Sequence, residues 1–124
     1  MKATNRQRAL FRSLRDRKGR DESGLFMVEG VRLCEELLGA GLPVEMVMIA
    51  EEATSAIQSL VARFQAAGGV VLEARQSEIV RISDTVTSQG ILAAARWKDT
   101  PFSALQYGER SRLIALDAVS DPGN

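Results

Sequence analysis

The chain has 124 residues, 45% of them apolar, which is enough for one compact core and gives no reason to predict disorder across its body. It has no histidine and a single cysteine, Cys34, which excludes Ser-His-Asp and Cys-His catalysis, an intramolecular disulfide and a zinc site built from thiolates alone, and no metal site is predicted. No apolar run reaches the roughly 18 to 20 residues that span a bilayer, so we expect no membrane association and a cytoplasmic location.

The net charge of zero hides a strong asymmetry along the chain. Residues 1–20 carry eight basic side chains and one acid, a balance of +7, and the remaining residues carry eight basic and fifteen acidic side chains, a balance of −7. Six of the eight basic residues in the first segment are arginines, which favours bidentate phosphate contacts and stacking on exposed bases. This split predicts a basic arm that binds nucleic acid, the alternatives being an acidic protein partner or a merely solubilising role.

The first predicted element is a helix over about residues 5–18. At about 100° per residue, its apolar side collects Ala3, Gln7, Leu10, Phe11 and Leu14. A second sector, about 60° wide, collects Arg8, Arg12 and Arg15. Gly19 is placed to end this helix, and residues 20–24 are predicted to form a polar loop.

Strands and helices alternate after this loop. Apolar strands are predicted at 25–28, 44–50, 70–72 and 90–95, the last of them small enough for the centre of a sheet. Between them, helices are predicted at 29–38, at 53–64 with Glu51 and Glu52 favouring its N-terminus, and after Ser77 as a short capped helix. The alternation predicts the α/β class, as a three-layer α/β/α sandwich around a mainly parallel or mixed sheet.

The composition becomes polar after Trp97, and an apolar strand at 113–116 then runs into a turn that ends at Asn124. Because an unpaired strand leaves its backbone groups without partners, we interpret the chain as the front part of a longer protein. The predicted organisation is a basic N-terminal helix or arm (1–20), a folded domain (21–97), a linker (98–111) and the start of a second domain (112–124).

Three blocks of the sequence, at 17–20 with 24–33, at 82–93 and at 116–124, resemble the SpoU-type RNA ribose 2′-O-methyltransferases of the knotted SPOUT superfamily. LDAVSDPGN at 116–124 is similar to the opening of that family's first signature motif. RKGR at 17–20 followed by GLFMVEGVRL at 24–33 is similar to the start of its substrate-binding domain, and ISDTVTSQGILA at 82–93 to the last loop and strand of that domain. The resemblance implies that residues 21–97 are the substrate-binding domain, with a ribosomal-protein-like RNA-binding fold, and that residues 112–124 are the first strand and turn of a trefoil-knot catalytic domain.

The resemblance also implies a cofactor, a partner and an incomplete active site. S-adenosylmethionine would serve the intact enzyme, but the motifs that bind it come later in the family, so we expect no cofactor in these residues and no activity from them alone. Asn124 would support a catalytic Arg that the chain does not contain. The intact enzyme is expected to form a homodimer through its catalytic domain.

Two turns join the basic segment as candidate RNA contacts. At 29–32 a glycine permits close backbone approach at a helix start, where amide groups can receive a phosphate, and Arg32 opposes the helix dipole there. At 85–90 hydroxyl and amide groups could contact ribose or base edges; ordinary turn chemistry is the alternative, and the resemblance favours the substrate-facing role. The predicted RNA-binding residues are Arg8, Arg12, Arg15, Arg17, Lys18, Arg20, Glu29, Gly30, Arg32, Thr87, Gln89 and Gly90.

The function expected from these observations is the RNA-binding portion of an S-adenosylmethionine-dependent 2′-O-methyltransferase that acts on structured rRNA or tRNA. The alternative is a stand-alone, ribosomal-protein-like RNA-binding module without catalysis. Residues 112–118 distinguish the two, because a stand-alone domain would pair this strand within its own sheet.

Overall fold

The computed structural model describes residues 1–83, 85 and 87–118 of the chain. Five α-helices and four strands alternate along most of this length, and a 3₁₀ turn follows at Phe102–Ala104. In chain order the elements are α1 (Asn5–Ser13), α2 (Arg17–Ser23), β1 (Leu25–Glu29), α3 (Val31–Gly39), β2 (Val44–Ala50), α4 (Ser55–Ala66), β3 (Val70–Ala74), α5 (Gln76–Ile82) and β4 (Ile91–Arg96). None of the helices in this described part has the length and apolar character needed to cross a membrane.

The four strands form one mixed sheet in the order β1-β4-β2-β3. Strands β2 and β3 are parallel, whereas β4 is antiparallel to both of its neighbours, so that β1, β2 and β3 all run in the same direction. The predicted α/β class, the mixed sheet and the central place of β4 are therefore confirmed. Val, Ile, Leu and Met dominate the strands next to β4, as expected where both faces of a sheet are covered.

Helices pack on both faces of this sheet. One cluster of buried side chains joins α1 and α5 to one face and contains Ala3, Phe11, Leu14, Leu25, Met48, Ala50, Leu72, Ala74, Ile79, Ile82, Leu92 and Ala94. The other joins α3 and α4 to the opposite face and contains Cys34, Leu37, Val44, Val47, Ile49, Ile57, Leu60, Phe64, Ile91, Ala93 and Ala95. The core position predicted for Cys34 is confirmed.

The basic N-terminal segment is part of this folded body. Phe11 of α1 and Leu14, which follows α1, are 0% and 2% exposed, and the backbone before α1 extends the edge of the sheet beside β3. There the Ala3 N–H donates to the Glu73 carbonyl at 2.8 Å, and the Glu73 N–H donates to the Met1 carbonyl at 2.7 Å. The segment is therefore held both by apolar burial and by pairing along a sheet edge.

The single helix predicted over residues 5–18 is wrong, because the chain forms two helices with a break at 14–16. Gly19 does not end a helix but lies inside α2, where an added Cβ would overlap the carbonyl oxygen of Ser13. The loop predicted at 20–24 is helical as far as Ser23, and α2 ends at Gly24 with φ +66°. Because Gly19 has no side chain, α2 can approach the end of α1 closely. The local sequence pattern does not predict this contact.

Two other helix starts also differ from prediction. Thr54 caps α4, its hydroxyl accepting from the Ile57 N–H, so the acidic pair at 51–52 lies outside the first turn. Helix α5 begins one residue before Ser77, and its N-cap is Arg75, whose backbone N–H donates to the Glu78 carboxylate at 3.0 Å. In both helices the residue whose side chain caps the N-terminus therefore lies within three positions of the predicted one.

The strand predicted from residue 112 onward is not formed over 112–118. These residues are irregular and exposed, with Leu113, Ile114 and Leu116 at 66%, 87% and 79% exposure. Apolar content alone does not make a strand, because its backbone groups need a neighbouring strand to bond. Residues 119–124 lie outside the described residues.

Replacing Gly19 by Ala is expected to lower the free energy of unfolding by about 1–3 kcal/mol, because the new methyl group collides with backbone atoms of Ser13. Gly39→Ala is the matched control, since no described atom lies within 4 Å of a Cβ built there and Ala favours the helix. Urea unfolding followed by circular dichroism measures both changes. A Gly19→Ala chain at least as stable as the unchanged chain would contradict the close-approach explanation.

Candidate functional site

The directions of the strands bring polar groups together at one end of the sheet. Strands β1, β2 and β3 finish at this end and β4 begins there, so that Glu29, Ala50, Ala74 and Gly90 lie along it. Helices α3, α4 and α5 each begin after one of these strands, which directs their N-terminal amides toward the same end of the sheet. Ligands of open α/β sheets commonly bind beyond such carboxyl ends.

A cavity of about 280 Å³ lies at this end of the sheet, between the start of α3 and the loop before β4. Its lining consists of Glu29, Gly30, Arg32, Leu33, Thr85, Thr87 and Gln89. The two turns that the sequence marked separately, at 29–32 and 85–90, therefore meet around one space. Of the predicted contacts in these turns, Gly90 is not among the lining residues.

Glu29 holds the loop against the end of β1. Its carboxylate accepts a hydrogen bond from the Ser83 hydroxyl at 2.5 Å and another from the Thr85 hydroxyl at 2.8 Å. Ser83 is 7% exposed and also accepts from the Thr85 N–H at 3.1 Å. The carboxylate thus fixes the loop that carries Thr87 and Gln89, and a contact of Glu29 with RNA stays a prediction.

Gln89 closes the cavity by capping α3. Its side-chain oxygen accepts from the Val31 N–H at 2.8 Å, a role that Gly30, the residue before α3, has no side chain to perform. Gly30 has φ +90°, and a Cβ there would stand 3.0 Å from this Gln89 oxygen. Gly30 therefore supplies both the turn and the space that bring the loop to the helix start.

Gly90 performs a comparable packing role behind the cavity. It has φ +78°, it is buried, and a Cβ there would stand 2.9 Å from the Gln76 side-chain oxygen and 3.1 Å from the Ala50 Cβ. Its carbonyl accepts from the Ala50 N–H at 2.8 Å. The structure thus gives Gly90 a part in positioning the loop, and its contact with RNA stays a prediction.

Arg32 is the basic side chain of this cavity. It forms an ion pair with Glu36, four residues later on α3, at 3.2 Å. Both side chains are largely exposed, at 88% and 60%, and exposed pairs of this kind contribute little to stability. The guanidinium can therefore exchange Glu36 for an incoming phosphate at small cost.

Two of the six predicted arm contacts are used within the fold. The Arg8 guanidinium donates to the Ala3 carbonyl at 2.9 Å and pairs with Glu78 of α5 at 3.1 Å, with both side chains mostly buried. The Arg20 guanidinium donates to the carbonyls of residues 14 and 15 at 3.0 and 2.8 Å, which joins α2 to the end of α1. These two arginines position helices, a role that their charge alone did not reveal.

The other four arm contacts are exposed: Arg12, Arg15, Arg17 and Lys18. The last two form i,i+4 pairs on α2, Arg17 with Asp21 at 3.5 Å and Lys18 with Glu22 at 3.8 Å. Since all four of these paired side chains are more than two-thirds exposed, the pairs are readily exchanged for phosphate. The surface of α1 and α2 therefore remains available to an anionic partner.

Cys34 lies on α3 next to this site but takes no part in its chemistry. It is fully buried, and burial, assisted by the negative charge of Glu29, raises the pKa of its thiol to about 12. The thiolate, which is the reactive form, is therefore scarce at neutral pH. Asn124, the one predicted catalytic residue, lies outside the described residues.

The chain belongs to the family of MRM3-like substrate binding domains, whose sequence signature matches residues 8–93. A comparison with curated proteins finds no match. The range 8–93 contains both turns of the cavity and most of the basic segment.

Solved structures share the fold. An rRNA methyltransferase from Sinorhizobium meliloti is 25% identical with a TM-score of 0.71, over 82% of this chain and 38% of that one. A structure described as an RNA 2′-O ribose methyltransferase is 25% identical with a TM-score of 0.70, over 85% and 39%. The SpoU methyltransferase AviRb from Streptomyces viridochromogenes, in complex with AdoMet, is 16% identical with a TM-score of 0.68, over 85% and 38%, and supports the fold alone.

These matches confirm the predicted resemblance to the SpoU-type RNA methyltransferases. The chain spans about two-fifths of the length of the solved structures that it matches. What those larger proteins do is therefore carried to this chain only as a proposal.

Labelling of Cys34 by a disulfide reagent at pH 8 is expected to be far slower in the folded chain than in urea, because the buried thiol ionises only near pH 12. A raised folded-state pKa also means that this thiol's contribution to stability is complete below pH 9.0 and is lost as the pH rises toward 12. In the Cys34→Ala variant, the unfolding midpoint should therefore fall less between pH 9.0 and 12 than in the unchanged chain. Equally fast labelling in both states would contradict the burial.

Replacing Glu29 by Gln is expected to loosen the loop, because its hydrogen bonds from Ser83 and Thr85 lose the charge that strengthens them. Amide hydrogen exchange at 87–90 should become roughly tenfold faster. Glu35→Gln, on the exposed side of α3, is the control and should leave this exchange unchanged. Unaltered protection in the Glu29 variant would show that the carboxylate does not hold the loop.

Proposed function

We propose that this chain is the RNA-binding portion of an S-adenosylmethionine-dependent RNA ribose 2′-O-methyltransferase that acts on rRNA or tRNA. The observation that carries the proposal is the family match over 8–93. It is supported by the meeting of the two predicted turns around one cavity, with the exposed basic side chains of α1 and α2 as further RNA contacts. The solved relatives described as rRNA and RNA 2′-O ribose methyltransferases support the substrate and the reaction.

In this proposal the chain's residues bind and orient RNA. Arg32 exchanges its exposed partner for a backbone phosphate, and phosphate contacts of this kind position the RNA without reading its sequence. The Thr87 hydroxyl and the Gln89 amide, at the rim of the same cavity, can bond a ribose 2′-hydroxyl or a base edge. Glu29 and Gly90 act indirectly by holding the loop that carries these groups.

S-adenosylmethionine would supply the methyl group in the proposed reaction, as the family resemblance implies. The cavity between α3 and the loop before β4 does not fit this cofactor, because its lining is mainly charged and polar and has Leu33 as its one large apolar side chain, whereas cofactor pockets are mostly apolar. These residues therefore supply no methyl-transfer step. The proposal is that the chain alone binds RNA without methylating it, with Asn124 in a supporting catalytic role in the intact enzyme.

The same proposal includes the architecture around this domain. The packing of helices on both faces of the sheet supports a three-layer α/β/α sandwich. The exposed apolar side chains at 113, 114 and 116 support a second, trefoil-knot domain that would bury them, rather than a stand-alone module. A homodimer formed through that domain and a cytoplasmic location complete the proposal.

Arg32→Ala is expected to weaken binding to labelled tRNA or an rRNA hairpin by about 5- to 10-fold at fixed salt, because one charge-assisted phosphate contact is lost. The slope of log affinity against log salt should fall by about 0.9, as expected for one phosphate contact. Arg63→Ala removes the same exposed charge from α4 and is the matched control. Equal affinities for the two variants in fluorescence anisotropy titrations would contradict the assignment of the cavity.

A further inference from the structure

Trp97 combines wide exposure with a fixed position. It directly follows β4 and is 61% exposed, yet its ring stands perpendicular to the half-buried ring of Phe26, with centroids 5.8 Å apart. Its backbone N–H donates to the Gly24 carbonyl at 2.8 Å, and its indole N–H donates to the Asp99 carboxylate at 3.0 Å. Apolar side chains that are held in place while facing solvent are typical of binding sites.

A cavity of about 500 Å³ lies beside this ring, at the end of the sheet opposite to the first cavity. Its lining consists of Arg20, Asp21, Gly24, Leu25, Trp97 and Asp99. The volume lies within the range of small-ligand sites and is ample for one nucleobase. The Arg20 guanidinium in this lining is fixed by two carbonyls of the preceding turn, so two walls of the cavity are rigid.

The charges around the cavity favour a base over a phosphate inside it. Asp21 and Asp99 place two carboxylates in the lining against one guanidinium, which disfavours an anion there, whereas carboxylates accept hydrogen bonds from the amino groups of bases. The exposed Arg17 and Lys18 on the adjoining α2 can receive the flanking phosphates. An aromatic face next to basic side chains is how proteins hold unpaired RNA bases.

We propose that Trp97 is a stacking platform for an unpaired base of the RNA, which enters the cavity between α2 and residues 97–99. The inference rests on the proposed function and adds a second contact to it. The two cavities lie beyond opposite ends of β1, whose five residues span about 16 Å. RNA that fills both must therefore cross the sheet from one end to the other.

The test uses the fact that Trp97 is the only tryptophan of the chain, so intrinsic fluorescence reports on this site alone. Single-stranded RNA is expected to quench this fluorescence saturably, with the same midpoint as binding measured by anisotropy of labelled RNA. Trp97→Ala should weaken binding about 5- to 100-fold, whereas Trp97→Phe should retain most of the affinity. Tyr107→Ala removes another exposed aromatic side chain, 65% exposed, and should leave the affinity unchanged.

The outcomes separate this inference from the proposed function. Binding without quenching, or equal affinity of the Trp97→Ala and unchanged chains, would overturn the stacking platform and leave RNA binding by the domain intact. Absence of RNA binding by the unchanged chain would overturn both. Circular dichroism checks the fold of each variant, and if Trp97→Ala does not fold, the quenching of the unchanged chain and the affinity of Trp97→Phe decide.

Discussion

The double burial of β4 is the constraint on which the rest of the structure depends. Residues 91–95 are all 0% exposed and pack against α1 and α5 on one face and α3 and α4 on the other. Three of these five residues are alanines, which leave room for larger side chains such as Met48 and Phe64 on both sides. Because this strand cannot shift without disrupting two cores, the residues at its two ends are held in place. The loop with Thr87 and Gln89 precedes β4, and Trp97 directly follows it. The same strand therefore fixes the positions of both candidate RNA contacts.

The arginines of the basic segment, residues 1–20, have two roles: some hold the fold together, and others are exposed to a partner. Arg8 and Arg20 bond carbonyls and a carboxylate within the fold, where removing them would leave partly buried acceptors without these donors. Arg12 and Arg17 are exposed on the same helices. Since this segment also supplies Phe11 and Leu14 to the core, a deletion of residues 1–20 would remove packing and charge together. Single exposed substitutions therefore separate binding from folding where a truncation cannot.

The strands were largely predictable because each is a short apolar run bounded by polar or glycine residues. Strand β2 has the predicted bounds, 44–50. What escaped prediction depends on contacts between distant residues: the break before α2 requires Gly19 to meet Ser13, and the loop requires Ser83 to reach Glu29, 54 positions away. The apolar run at 113–116 was predicted as a strand, and a strand needs a neighbour that the described residues do not provide there. Both turns of the first cavity were recognisable from polar groups and glycines beside strand ends, although their meeting depends on the sheet order.

The proposed RNA contacts fall into two groups, one that would supply affinity for any RNA and one that would discriminate between RNA segments. In the proposed function, exposed arginines and a lysine on α1 and α2 would contact the RNA backbone, and because this contribution comes from released counterions it would weaken steeply as the salt concentration rises. The proposed stacking on Trp97 and hydrogen bonds from Thr87 and Gln89 would depend on unpaired bases and on ribose hydroxyls, and they would be far less sensitive to salt. Raising the salt concentration therefore removes the backbone contribution first and leaves the contacts that can tell one RNA segment from another. In the proposed function, the domain would therefore attract RNA through α1 and α2 and select an RNA segment at the two ends of β4.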